Sequence, residues 1–580
     1  MKLSDYIVEF LQRKGIHDFF GYQGTMIAHL VDSIEKNPQA SNHSCYHEQG
    51  AAFAACGYAQ AKAQCACAYA TSGPGAVNLL SGVADAYYDS LPVIFLTGQL
   101  NTYEYSGIEG LRQQGFQEIN IVEMARPITK YCVQIREPED IVTELNKAYH
   151  IAISGRQGPV LIDLPMNIQR SEVEHPVYDM VFEEEKADAQ EAQKAAQAVL
   201  AALEKARRPV ILMGHGVDSP QSQAALLAFA EQNQIPVITS ILAKSVLAYD
   251  HPLNFGCIGG AYGHRYANMI ANAKSDLLLA FGISMCTRQI GVKVNEFAKN
   301  AEIIRMDIDP YNLQRDIHEN AVGEQKYCVQ TQDVITLLAG QKTGDAGERA
   351  DWVNVCREIK ETLMEVDGRT PERYPNRAVA FLSDCLQDTS VVAVDVGQHM
   401  VWSYQSFKNA AGQKLLFSGG HGAMGYALPA AIGAYYATGK PVACICGDGA
   451  FQMNIQELQW VVREQIPVKI IIFNNDSLGM IRHLQRDYFD SLFAGTSNGS
   501  GFSSCDFCKV AGAYGIEALQ IPHQETEEKA AEFLKGPGPR LLEITMEQGT
   551  YAYPKTCLGN AIHKQDPLAP EDVHTHLMDL

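Results

Sequence analysis

The chain has 580 residues, too many for one hydrophobic core, so several domains are required. Hydrophobic residues make up 46% and charged residues 19%, an ordinary globular balance, and a net charge of −21 excludes nucleic acid or an anionic membrane surface as the main partner. No uninterrupted apolar run reaches the roughly 18 residues of a membrane span, residues 1–11 read as an amphipathic helix rather than a signal peptide, and 15 cysteines lie scattered in apolar contexts, which together predict a cytoplasmic protein with reduced thiols.

In chain order, three regions of alternating strand-like and helix-like segments predict an α/β protein with three doubly wound parallel-sheet domains. The first, 1–170, carries an alanine-rich helix headed by Glu48 and closes on a buried strand at 159–165. A solvated linker with a charge run at 183–186 leads to the second, 188–340, with strands at 209–213, 277–281 and 303–307. A second linker, 339–377, carries one helix; the third region spans 370–550, and a proline-bearing tail covers 551–580. The first and third regions look like variations on one plan, so two sheets could share a ligand across an interface.

Within the third region, Gly447-Asp448-Gly449 and then Asn474-Asn475 each follow an apolar strand, with a helix expected over 453–465 between them. A right-handed crossover places Asp448 and Asn475 beyond the carboxyl ends of neighbouring parallel strands, where open α/β sheets bind ligands. One carboxylate, one amide oxygen and nearby carbonyls suit Mg²⁺ that keeps phosphate oxygens among its ligands.

The segment 447–479 resembles the thiamine diphosphate enzymes, and among them the acetolactate synthases. That resemblance implies that Asp448, Asn475 and the carbonyl of Ser477 ligate Mg²⁺, with Gly447, Gly449 and Ala450 against the diphosphate. By the same resemblance, Val396, Gly397, Gln398 and His399 form a diphosphate-binding turn, and Gly422 and Met424 lie in the loop that bends the cofactor. In the first region Glu48 is the implied activating carboxyl, with Gly24, Pro74 and Asn78 around the pyrimidine ring and Phe116-Gln117 near the substrate. Thiamine diphosphate in this family lies between subunits, which implies a homodimer or homotetramer, and a regulatory subunit is left open. Arg156 and Arg288 are similar to residues near FAD, although the family's arginine and acidic pair are missing around 283–287.

The implied reaction is decarboxylation of a 2-oxo acid, pyruvate, and ligation of the two-carbon unit to a carbonyl acceptor, forming 2-acetolactate. The alternative is a related enzyme that only decarboxylates or that uses another acceptor such as a nucleotide sugar. The substrate side departs from the biosynthetic pattern: Leu484 stands where those enzymes usually carry a tryptophan that favours 2-oxobutyrate, and Gln23 replaces a proline.

Overall fold

The computed structural model describes residues 1–580 apart from 109, 183–188, 318–322, 345 and 558, so the charge run at 183–186 lies outside the described residues. The first sheet contains β1 (Asp18–Gly21), β2 (Ser41–Ser44), β3 (Ala66–Ala70), β4 (Val93–Gln99), β5 (Tyr131–Gln134) and β6 (Val160–Pro165) in the order 2-1-3-4-6-5. The second contains β7 (Pro209–Met213), β8 (Val237–Thr239), β9 (Asn254–Cys257), β10 (Leu277–Phe281), β11 (Glu302–Asp307) and β12 (Glu324–Cys328) in the order 12-11-10-7-8-9. In the third, β13 (Val391–Val394), β14 (Lys414–Phe417), β15 (Val442–Gly447), β16 (Val468–Asn474), β17 (Glu517–Pro522) and β18 (Arg540–Thr545) run 14-13-15-16-18-17. Every pairing within these sheets is parallel, and the first and third orders are the same permutation, so the two regions share one topology. Strands β3, β4, β6, β7, β10 and β15 are buried along their whole length, as sheets covered on both faces require.

The first and third regions also share a core. The Glu48–Lys62 helix crosses the Ala427–Thr438 helix with almost no side chain between them: a Cβ on Gly57 would fall 2.2 Å from the Ala430 carbonyl oxygen, and one on Gly433 1.9 Å from that of Ala54. This close approach explains why both helices are rich in alanine and glycine despite glycine's cost in a helix of about 1 kcal/mol.

The structure changes the reading of two segments and adds detail to a third. The helix expected over 453–465 is broken: a 3₁₀ segment, Gln452–Glu457, kinks at Asn454 (φ −132°) before the helix Leu458–Arg463. Asn454 Nδ2 donates to Gln49 Oε1 (3.1 Å) and to the Gly425 carbonyl (2.8 Å), contacts that a continuous helix would not place there. The 339–377 linker carries one long helix, Ala346–Gly368, and the start of a second, Tyr374–Cys385. The tail folds back: Ile562 and Leu577 enter the core of the central region, and Arg265 Nη1 donates to the Gln565 carbonyl at 2.7 Å. Among the described residues no helix is long and apolar enough to cross a membrane.

Candidate active site

Two clusters gather at carboxyl ends of strands. The first surrounds Glu48, the opening residue of its helix, whose N-cap His47 accepts the Gln49 N–H through Nδ1 (3.2 Å). The Glu48 side chain is 8% exposed, and its Oε2 accepts a hydrogen bond from Asn78 Nδ2 at 2.9 Å. Its Oε1 faces Gly75, where a Cβ would approach to 3.0 Å. Gly24 packs on Thr71, Pro74 occupies the first turn of the Pro74–Tyr88 helix, and the carbonyl of Gln117 lies 2.7 Å from where a Cβ on Gly73 would stand. Gln117 itself has φ +63°, a strained conformation for glutamine, beside Phe116, which is 80% exposed.

The second cluster lies where the third sheet reverses direction, between β13 and β15, and extends to the end of β16. Asp448 Oδ1 accepts the Gly449 N–H (2.9 Å) and Oδ2 the Ser477 N–H (3.1 Å). Burial nonetheless pushes its carboxyl up to about 7. Asn475 Nδ2 donates to Gln398 Oε1 (3.2 Å), which leaves the Asn475 Oδ1 as a free acceptor among the described residues. The Ser477 carbonyl accepts only the Gly479 N–H (2.8 Å) among them. The donor set is one carboxylate, one amide oxygen and one carbonyl, all oxygen, which suits a hard oxygen-seeking cation.

Next to it, His399 is 4% exposed, burial holds its imidazole neutral with a pKa down to about 3, and its Nε2 has no hydrogen-bond partner. A Cβ on Gly447 would fall 2.8 Å from the His399 ring, so glycine there leaves the ring its place. An orphaned polar nitrogen, a shaved backbone turn at Val396-Gly397 and an uncompensated buried carboxylate fit a metal-bound diphosphate. Met424 reaches toward Gly449, its methyl 3.6 Å from a would-be Cβ, and Ala450 is buried, whereas nothing lies within 4 Å of a Cβ on Gly422. No hydrogen bond joins Glu48 to the Asp448 cluster among the described residues.

Three buried acids hold these clusters, and the sequence did not reveal what they accept. Asp395 accepts the N–H groups of Gly425 (2.9 Å) and Ala427 (3.0 Å), fixing the Met424 loop. Asp89 accepts those of Gly419 (2.8 Å) and Gly420 (2.6 Å) from the first domain. Glu457, fully buried, accepts the Tyr46 N–H (3.1 Å) just ahead of Glu48. An acid closing the apolar run at 391–394 was the available signal for Asp395; nothing local marks the other two as long-range acceptors.

Burial raises the Glu457 carboxyl from 4.5 to about 7. The folded chain therefore binds a proton that the unfolded chain has already lost, and this group's contribution to stability declines as pH rises from about 4.5 through 7. Glu457→Gln keeps an acceptor for Tyr46, so its melting temperature should fall less than the native protein's between pH 5 and pH 8, about 4.5 to 7 being the window that matters; parallel slopes in differential scanning calorimetry would refute this.

A cavity of about 440 Å³ opens at the carboxyl edge of the central sheet, between the loops after β7 and β10 where that sheet reverses. Arg156 and Arg288 both line it; Arg156 pairs with Asp309 (2.6 Å), and Arg288 donates to the Gly419 carbonyl (3.1 Å). Asp307, buried at the end of β11, lies in the same wall.

Residues 1–124, 196–330 and 395–544 match, in turn, the N-terminal TPP binding domain, the central domain and the C-terminal TPP binding domain of thiamine pyrophosphate enzymes. The chain is 35% identical over 566 residues to the probable acetolactate synthase large subunit of Methanocaldococcus jannaschii, covering 94% of this chain and 92% of that one. It is 33% identical over 558 residues to the acetolactate synthase isozyme 2 large subunit of Escherichia coli (96% and 97%), and 34% over 571 to the probable chloroplastic acetolactate synthase 2 of Oryza sativa (95% and 84%). The chain belongs to the acetolactate synthase large-subunit family of thiamine pyrophosphate enzymes.

Proposed function

We propose that the protein decarboxylates pyruvate and joins the two-carbon unit to a second pyruvate, releasing carbon dioxide and 2-acetolactate, with thiamine diphosphate and Mg²⁺ bound. The observation that carries this reading is the pairing of a buried Glu48, oriented by Asn78, with an Asp448–Asn475–Ser477 donor set beside an unpartnered His399. Thiamine diphosphate, when bound, supplies the electron sink for cleavage next to the carbonyl. Glu48 holds and returns a proton at Oε1, since Oε2 is engaged by Asn78. Asp448, Asn475 and the Ser477 carbonyl would hold the metal, Gln398 fixes the Asn475 amide by accepting from its Nδ2, and His399 would bind the diphosphate. Met424, on a loop pinned by Asp395, would serve as the apolar wedge against the cofactor. Gln117 borders the substrate.

Relatives named as large subunits support an oligomeric enzyme in which Glu48 and Asp448 of different subunits face one site. All 15 cysteines are unpaired, which suits a reducing cytoplasm. The central cavity, with Arg156, Arg288 and Asp307 at a switch point, supports a bound FAD in a structural role. Release of a yellow chromophore on denaturation, identified by chromatography, tests it; a colourless, flavin-free protein after growth with riboflavin would count against it.

Leu484 lies with Ile481 and Tyr488 on the exposed face of the Gly479–Tyr488 helix, next to the metal donors. Leu484→Trp is expected to shift competition between pyruvate and 2-oxobutyrate as acceptors toward 2-oxobutyrate by about tenfold. An unchanged product ratio in a mixed-acceptor assay would remove Leu484 from the specificity account.

A further inference from the structure

A second cavity, of about 190 Å³, lies between the central and C-terminal domains. It touches Gln405 and Ser406 at the far end of the helix whose first residues are Gln398 and His399. Arg373, Arg377 and Lys408 line it, against one acid, Asp367. That carboxylate is already shared: its oxygens lie 3.0 Å from Arg265 Nε and 3.0 Å from Arg373 Nη1. Arg377 donates only weakly, to the carbonyls of Thr370 (3.3 Å) and Pro371 (3.5 Å), and the partner of Lys408 is the exposed Asp384 at 3.2 Å. The wall thus carries an excess of positive charge in a chain of net charge −21.

The hydrogen bonding around this cavity is also incomplete. Arg373 Nε, Asn376 Oδ1 and Arg265 Nη2 are buried without partners, although Asn376 is 4% and Arg265 3% exposed. Unmet guanidinium donors are expensive to bury. His264 adds no charge to the wall: its Nδ1 accepts the Cys257 N–H (2.9 Å), its Nε2 donates to the Gln405 carbonyl (2.9 Å), and burial beside Lys244, Arg373 and Lys360 keeps it neutral, with a pKa down to about 3. The volume is below the roughly 300 Å³ of drug-sized sites, which limits an occupant to a small metabolite.

We propose that this cavity is a binding site for a small metabolite bearing a doubly charged oxyanion, a phosphate monoester or a dicarboxylate, held by Arg373, Arg377 and Lys408. The ligand would sit between the central and C-terminal domains.

Isothermal titration of the protein loaded with thiamine diphosphate and Mg²⁺, in chloride buffer of constant ionic strength, tests this with inorganic phosphate, glycerol 3-phosphate and succinate as probes. Loading first keeps the diphosphate turn from competing. Saturable binding is expected for at least one probe; preference for the phosphates identifies a phosphate site, and preference for succinate a dicarboxylate site. Arg377→Gln, at an exposed position, and Lys408→Gln should each weaken that binding about tenfold or more with unchanged melting temperature. No saturable binding of any probe at millimolar concentration, or native affinity in both variants, would overturn the proposal.

Discussion

Glu48→Gln is expected to turn pyruvate over about 10²- to 10⁴-fold more slowly than the native enzyme while binding thiamine diphosphate with near-native affinity. The substitution keeps the size of the side chain and an acceptor for Asn78 Nδ2, so the packing against Gly75 and the start of the helix survive. What it removes is the proton that the carboxyl can hold and return. Steady-state rates together with cofactor titration by fluorescence separate the two quantities. Native turnover would show that Glu48 is a helix-end carboxylate with no part in the chemistry, since acids are favoured in first helical turns for their interaction with the dipole alone.

Asp448→Ala should act on binding instead, lowering the apparent affinity for Mg²⁺ by about 100-fold or more, because even outer-shell partners of a metal contribute about 10- to 100-fold. Its carboxylate is the sole formal charge in the donor set with Asn475 and Ser477, and burial pushes it up to about 7 without a cation. A bound divalent ion reverses that shift, so metal and protons compete at this site and Mg²⁺ affinity should rise with pH up to about 7. Removing the carboxylate should abolish that pH dependence along with most of the affinity. Calorimetric titration of Mg²⁺ at pH 6 and pH 8, in the presence of thiamine diphosphate, provides the check; pH-independent affinity in the native protein would contradict it.

Much of this arrangement was legible from local patterns. The apolar runs ending at Gly447 and Asn474 are strands β15 and β16, paired in parallel, and Asp448 and Ser477 meet beyond their ends. The likeness of the first and third regions also has a structural basis in their identical strand order. What escaped depends on partners distant in sequence. Asn454 breaks its helix because Gln49 and Gly425 receive its amide, about 405 and 29 residues away. Asp89 and Asp395, far apart in sequence, both anchor the loop that runs from Gly419 to Ala427. The tail offers a weak local signal and gains its order from the central core that receives Ile562 and Leu577. Periodicity finds elements, whereas single long-range hydrogen bonds decide how loops between them are held.

Incubating the purified protein with thiamine diphosphate, Mg²⁺ and pyruvate alone, and identifying the products by mass spectrometry with acid conversion of acetolactate to acetoin as a second readout, tests whether the protein makes acetolactate. The expected result is 2-acetolactate with one carbon dioxide for every two pyruvates consumed. Acetaldehyde as the main organic product, or untouched pyruvate despite bound cofactor, would contradict it and turn attention to another acceptor or donor, such as a nucleotide sugar.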